Sequence, residues 1–446
     1  MLGASLSGEQ LAARLLRPFA KVEASEAVTA AVMTLTVFLL LLAYYLLKTA
    51  REPLILLHGG AEVKSYAAAG QSLLLIPVVR IYSDLAKRFN RMKLVGGIYG
   101  FFALNLVLFA VAARANWSLG VPFYLWVGIF NVTAIGQFWS FANDIYDPEQ
   151  GKRLFAVLGI GSSIGAVAGS FVAKRLASLG PAGLMGCAAL VLCVCIALLA
   201  LVDRREITRE LARHKLPSEA PVLDQPLLSF LLNDRYLLLI AAMTFLLNCV
   251  NSNGEYILDR TLLASLGPST AASHAEAMVF VGAFKAEYFG WVNVVGVVLQ
   301  LFAVSRILTR FGVRTALFIL PSVALLSYSM ILVAPVLALI RIGKIAENSL
   351  DYSVENTARQ ALFLVGTRAE KYVGKTLIDT FIVRVGDVVS AAAVWLAAQL
   401  ALPTEAFALI NLALIATWLG VLFAIAREHR RRSGLVDLPT PALSPP

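Results

Sequence analysis

Runs of about 20 apolar residues, separated by short polar stretches, recur along the whole chain. Reading each run as one helix long enough to cross a hydrocarbon layer predicts twelve spans: 27–49, 64–84, 94–113, 121–143, 154–176, 182–202, 236–258, 286–305, 315–334, 336–362, 376–399 and 405–426. The longest polar connection runs from Asp203 to about Asp234, too short for a separate soluble domain. The predicted organisation is an amphipathic N-terminal segment, 1–26, a six-helix half, 27–202, and a linker, 203–235, then a second six-helix half, 236–426, and a disordered tail, 427–446. The fold class is therefore an all-α polytopic membrane protein in two pseudo-symmetric halves.

Composition agrees with that pattern: of 446 residues, 59% are hydrophobic and 15% charged, which excludes an ordinary soluble domain. Lys and Arg fix the expected orientation. They gather in "KRFNRMK", in "DRREITRELARHK", at Arg306, Arg310 and Arg314, and in "REHRRRSG", all on one side. The opposite loops are poor in them, so both termini are expected in the cytoplasm and the protein in the cell's inner membrane. The net charge of +10 follows from this topology; the basic residues form no aromatic-interleaved patch that would fit nucleic acid. Cys187, Cys193, Cys195 and Cys249 all fall within apolar runs with no metal-ligand spacing, and no catalytic constellation is visible, so neither a metal, a cofactor nor an enzyme activity is expected.

Polar side chains then stand out by their place. Lys48, Arg51 and Glu52 end span 1; Asn131, Thr133, Gln137, Asn143 and Asp144 mark span 4. Span 7 ends with Asn248, Asn251, Glu255, Asp259 and Arg260. In span 10, Arg341, Lys344, Asn348, Asp351, Tyr352, Glu355 and Arg359 recur at steps of three and four, along one helix face. A charge in mid-bilayer costs a few kcal/mol or more, so that face lines a wet path or pairs with itself. Gly161, Gly165 and Gly169 form a small-residue stripe suited to close helix packing; the phosphate-loop alternative fails on spacing.

The segment "IYSDLAKRFNRMKLV" after span 2 resembles "VSRILTRFGVRTALF" after span 8, with Arg88-Phe89 matching Arg310-Phe311 at an offset of 222 residues. Both resemble the basic loops of the major facilitator fold. That resemblance implies a central cavity lined by spans 1, 4, 7 and 10, and a gating role for Arg88 and Arg310. Lys152 and Arg153 are either positive-inside anchors or part of a cytoplasmic gate.

Three segments carry a narrower resemblance. "LKTAREPLILLHGGAEV" resembles the first-span signature of the nucleotide transporter family, the ATP/ADP translocases of plastids and intracellular bacteria. "FWSFANDIYDPEQGKRLFAVLGIGSSIGA" and "DYSVENTARQALFLVGTRAEKYVGKTLID" resemble its F-A-N and G-K-x-x-I-D segments, the last bringing Lys375 and Asp379 into register. The resemblance implies roles in transport for Lys48, Glu255 and Lys375, with Arg51, Arg341, Lys344, Asp351, Asn131, Gln137 and Asn143 as further substrate-site candidates. The implied partner is ATP/ADP or another phosphorylated anion, handled by a monomer in a lipid bilayer. The family glutamate upstream of F-A-N has no counterpart in residues 124–137, and a different, proton-coupled solute or a non-transporting sensor or assembly factor stay open as alternatives.

Overall fold

A computed structural model describes residues 23–115, 117–146, 148–210, 231, 233–266, 273–367, 370 and 374–436, and these are helical almost throughout. The expected lead-in at 1–26, apart from Glu23 onward, most of the 203–235 linker and the tail beyond 436 lie outside them. Among the described residues, nine helices are long and apolar enough to cross a membrane.

The first, α1, runs Ala24–Arg88, 65 residues. At about 1.5 Å per residue a straight helix of that length spans roughly 100 Å, three times the hydrocarbon layer. It is not straight: Gly60 has φ 75° and ψ −179°, a conformation that side-chain-bearing residues rarely adopt. Predicted spans 1 and 2 are thus the two arms of one element broken at Gly60. Next come α2 (Arg91–Arg114), α3 (Gly120–Ile145), α4 (Pro148–Arg175) and α5 (Gly180–Glu210). Asn90 caps α2, its side chain accepting from Lys93 N–H at 3.0 Å.

The later elements are α6 (Arg235–Ala264), α7 (His274–Val298), α8 (Val304–Ala316), α9 (Ile319–Val333), α10 (Leu337–Leu350), α11 (Asn356–Leu362), α12 (Val383–Gln399) and α13 (Thr404–Val436). Gly312, at φ 77°, breaks α8 after its basic stretch. Three π-helical turns, Leu299–Ala303, Asp351–Glu355 and Ile378–Ile382, interrupt the regular helix here.

The chain forms two compact units, one of Met1–Leu216 with Leu266–Asn293, the other of Pro217–Ser265 with Val294–Pro446. In the first, α1 packs on α3, α4 and α5. The glycine stripe of α4 explains how closely. A Cβ at Gly165 would sit 2.8 Å from Phe38 Cα, and one at Gly169 would sit 2.7 Å from Leu42 Cα. Only hydrogen fits there, so the two backbones meet directly. Phe102, Phe123, Trp126 and Phe130 stack through the core beside them. The segment Leu266–Asn293 joins this unit through polar ties: Tyr45 hydroxyl donates to Asn293 Oδ1 at 2.9 Å, and Lys174 pairs with Glu287 at 2.9 Å.

In the second unit α6 packs against α10, α12 and α13, and α9 against α10 and α13. Its α6 start is locked by Asp234, which accepts from Tyr236 and Leu237 N–H and from Arg432 at 2.9 Å. Burial works against the charge of Asp234, but the hydrogen bonds it accepts from Arg432 and Leu237 N–H, with the Arg432 charge, outweigh it and hold the carboxyl below its usual range.

Candidate functional site

Glu52 sits on α1 with its side chain fully buried, an arrangement that requires compensation because an unpaired buried carboxylate is strongly disfavoured. Three cations supply it. Arg51 Nη2 donates to Glu52 Oε1 at 2.7 Å, Lys64 Nζ to Oε2 at 2.5 Å, and Lys285 Nζ lies 3.8 Å from Oε2. The break at Gly60 is what brings Lys64, on the second arm of α1, back to Glu52 on the first. Lys285 arrives from α7, wholly buried, with its ammonium 5.4 Å from the Tyr288 ring centroid.

Aromatic faces complete the cluster. Arg51 lies 4.3 Å from the Tyr124 ring centroid on α3, and Lys48, one turn before Glu52, is 4.0 Å from that of Phe289. Among Arg51, Lys64, Lys285 and Glu52, the cations outnumber the carboxylate three to one. Such a set attracts a further anion, with the guanidinium suited to bidentate contact and the ammoniums to point-charge contact.

The second unit inverts this arrangement around a buried cation. Lys344 on α10 is fully buried, its Nζ donating to Asn251 Oδ1 at 2.8 Å and Glu347 Oε2 at 3.1 Å. Tyr328 hydroxyl donates to the same Glu347 oxygen at 3.1 Å. Asn348 Nδ2 donates to Glu255 Oε1 at 2.9 Å, and Asn253 Nδ2 to Asn411 Oδ1 at 3.1 Å. Gly254 leaves room for the lysine: a Cβ there would meet Tyr328 Oη and lie 2.9 Å from Lys344 Nζ. Asn251, Glu347, Asn348 and Asp351 line a small cavity closed by Leu320 and Trp418.

Two curated proteins share sequence with this chain, both named ADP,ATP carrier protein 1, from Chlamydia trachomatis and Chlamydia muridarum. Each is 24% identical over 318 residues, 62% of this chain. Over that region the chain is similar to the two ADP,ATP carrier proteins. The matched region spans 58% of the length of those carriers, and no family model matches the chain. Among solved structures, the nucleoside transporter NupG superposes with a TM-score of 0.63 at 10% identity, covering 89% of this chain and 98% of that one. A POT family transporter in complex with 5-aminolevulinic acid gives 0.64 at 10%, covering 91% and 96%. These likenesses place the chain in the major facilitator type of fold, and with its apolar helices they make it a multi-pass membrane protein.

Against the carrier resemblance, the predicted site residues fall in several places. Lys48 and Arg51 lie at the Glu52 cluster; Glu255, Lys344 and Asp351 lie at the Lys344 network. Arg341 is half-buried on α10, three residues before Lys344. Lys375 pairs with Asp379 at 3.5 Å, both about one-third exposed. On α3, Asn131 is half-buried and Asn143 exposed, while buried Gln137 accepts from Tyr82 hydroxyl at 2.6 Å. Arg88 and Arg310 are exposed at helix ends, and Arg153 pairs with Glu26 at 2.8 Å. The side chain of Lys152 lies outside the described residues.

Lys64 and Lys285 are absent from the candidates that the sequence suggests. Lys285 falls one residue before the predicted start of span 8 at 286, where a lysine reads as a boundary. The missed signal is the apolar "MVFVGAF" ahead of it, which extends the helix back to His274 and puts the lysine inside it.

Proposed function

We propose that this protein is a membrane transporter of nucleotides or related phosphorylated anions, exchanging ATP-like and ADP-like solutes. The observation that carries the reading is Glu52, buried among Arg51, Lys64 and Lys285, with Lys48 one turn away. A polyphosphate entering this cluster replaces the carboxylate as the partner of one or more cations. An empty site then holds itself together through Glu52, and a loaded site through phosphate. Because the cations have an anionic partner in both states and lack one in the half-released state, reorientation depends on occupancy, as obligatory exchange requires.

The similarity to chlamydial carriers supports this substrate class, and the facilitator-type neighbours support alternating exposure of the site to the two sides of the membrane. Twelve spans in two six-helix halves, divided at the 203–235 linker, fit the elements when α1 is counted as two arms at Gly60, α7 with α8 as one span, and α10 with α11 as one polar span. We infer a monomer in the inner membrane with both termini cytoplasmic, from the one-sided distribution of Lys and Arg.

Uptake of radiolabelled ATP into proteoliposomes preloaded with ADP tests the reading. Uptake that requires internal nucleotide is expected, and Lys285→Met is expected to lower it at least tenfold. The absence of any acid in residues 124–137 favours a second reading, a different solute moved by the same fold. Wild-type vesicles that ignore nucleotides under every gradient would favour that second reading.

A further inference from the structure

Among the described residues, Glu355 is a fully buried carboxylate whose two oxygens both lack a hydrogen-bond partner. Its surroundings do not supply a counter-charge at contact. On its own helix, Asp351 stands one turn earlier and Arg359 one turn later. Arg359 Nε is itself buried without a hydrogen-bond partner, and the two side chains form no ion pair although they stand four residues apart.

The ionisable groups on the neighbouring elements have other partners or no contact with it. On α10, Lys344 is taken up by Asn251 and Glu347, and Arg341 is half-buried. On α9, Tyr328 donates to Glu347. On α8, Arg306 donates to the Phe302 carbonyl, Arg310 lies over the Phe311 ring, and Arg314 acts on His429. An ionised carboxylate in such a place pays its desolvation cost with no hydrogen bond in return.

Two further features give this residue more than a packing role. Glu355 closes the π-helical turn Asp351–Glu355, a local widening of the helix that is frequent at functional sites. Asp351, at the start of that turn, lines the small cavity with Asn251, Glu347 and Asn348. A chain of acids therefore leads from the cavity inward, one helical turn apart.

We propose that Glu355 is a proton-binding site, filled from the cavity through Asp351 and emptied when its carboxylate pairs with Arg359. A proton from water joins the Asp351 carboxylate, passes to Glu355 and leaves Asp351 ionised. Loss of that proton to water returns Glu355 to the carboxylate, which the Arg359 guanidinium then neutralises at the i, i+4 spacing. The ligand is the proton alone, so the inference stands whatever solute the protein carries.

Infrared spectroscopy of the full chain in lipid, titrated with pH and exchanged into D2O, tests this directly. A protonated-carboxyl carbonyl band at neutral pH is expected in the wild type and in Asp351→Asn, with slower deuterium exchange in the latter. The band is expected to vanish in Glu355→Gln, an isosteric change that keeps a neutral side chain and should leave the thermal transition in place. In Arg359→Met the band should persist to higher pH, because the cation that takes over the carboxylate is gone. A neutral-pH spectrum identical in wild type and Glu355→Gln would overturn the proposal, as would a band whose pH dependence ignores Arg359.

Discussion

The two buried polar clusters are built on opposite plans. Around Glu52, one carboxylate gathers three cations, two of them lysines from separate helical arms. Around Lys344, one cation gathers neutral amides, a tyrosine and a single carboxylate. The first cluster sets three cations about one carboxylate, and on the proposed function it is completed by an anion. In the second, the buried lysine finds its hydrogen-bond partners within its own unit. Burial of charge is common to both, so it is the local charge balance that separates a ligand-ready site from a structural one.

Removing the central group of each cluster should break them differently. Glu52→Gln leaves three cations facing one another and should cost about 3–5 kcal/mol, seen as a large fall in the thermal transition. Added pyrophosphate should restore part of that loss, whereas equal ionic strength of chloride should not. Lys344→Met should cost less, about 3 kcal/mol, because Tyr328 still satisfies Glu347, and pyrophosphate should not restore it. Equal rescue of both variants would erase the distinction drawn between the clusters.

The scaffold around the first cluster can be probed through α4. Gly165→Ala forces a methyl group against the Phe38 backbone and should cost about 1–3 kcal/mol, whereas Gly136→Ala, where a Cβ meets open space, should be nearly silent. The smallest expected effect lies at Asp234. Its carboxyl is held below the ordinary range, so its contribution is present above the unfolded value and is lost as pH falls through the lower, folded value. Arg432→Ala should therefore lower stability by about 1 kcal/mol or less at neutral pH, and the deficit should fade on acidification as the carboxyl protonates in both proteins.

Much of the helical plan was readable in the sequence, because apolar runs report membrane crossing through length alone. The three-and-four spacing of Lys344, Asn348 and Asp351 placed them on one face, and in the structure Asn348 and Asp351 line one small cavity. What the sequence could not supply was pairing across distance. Nothing local to Lys344 indicates Asn251 or Tyr328, which come from other helices. Gly60 was visible as part of a glycine pair, yet periodicity does not tell whether a chain loops there or bends within a continuous helix. Lys285 was hidden by its position at the rim of an apolar run, where charge is read as an edge. The stripe of Gly161, Gly165 and Gly169 was the opposite case, since a face without side chains has few uses except close approach.

The π-helical turns Leu299–Ala303, Asp351–Glu355 and Ile378–Ile382 all fall in the second unit. Each accommodates about one residue more than a regular turn, and an extra residue rotates everything beyond it by about 100° around the helix axis. Such turns act as adjustable screw joints: moving the extra residue along the helix would re-aim a side chain such as Asp351 without displacing the helix ends. A single-residue deletion within 351–355 would lock that joint, turning a dial with several settings into a fixed shaft.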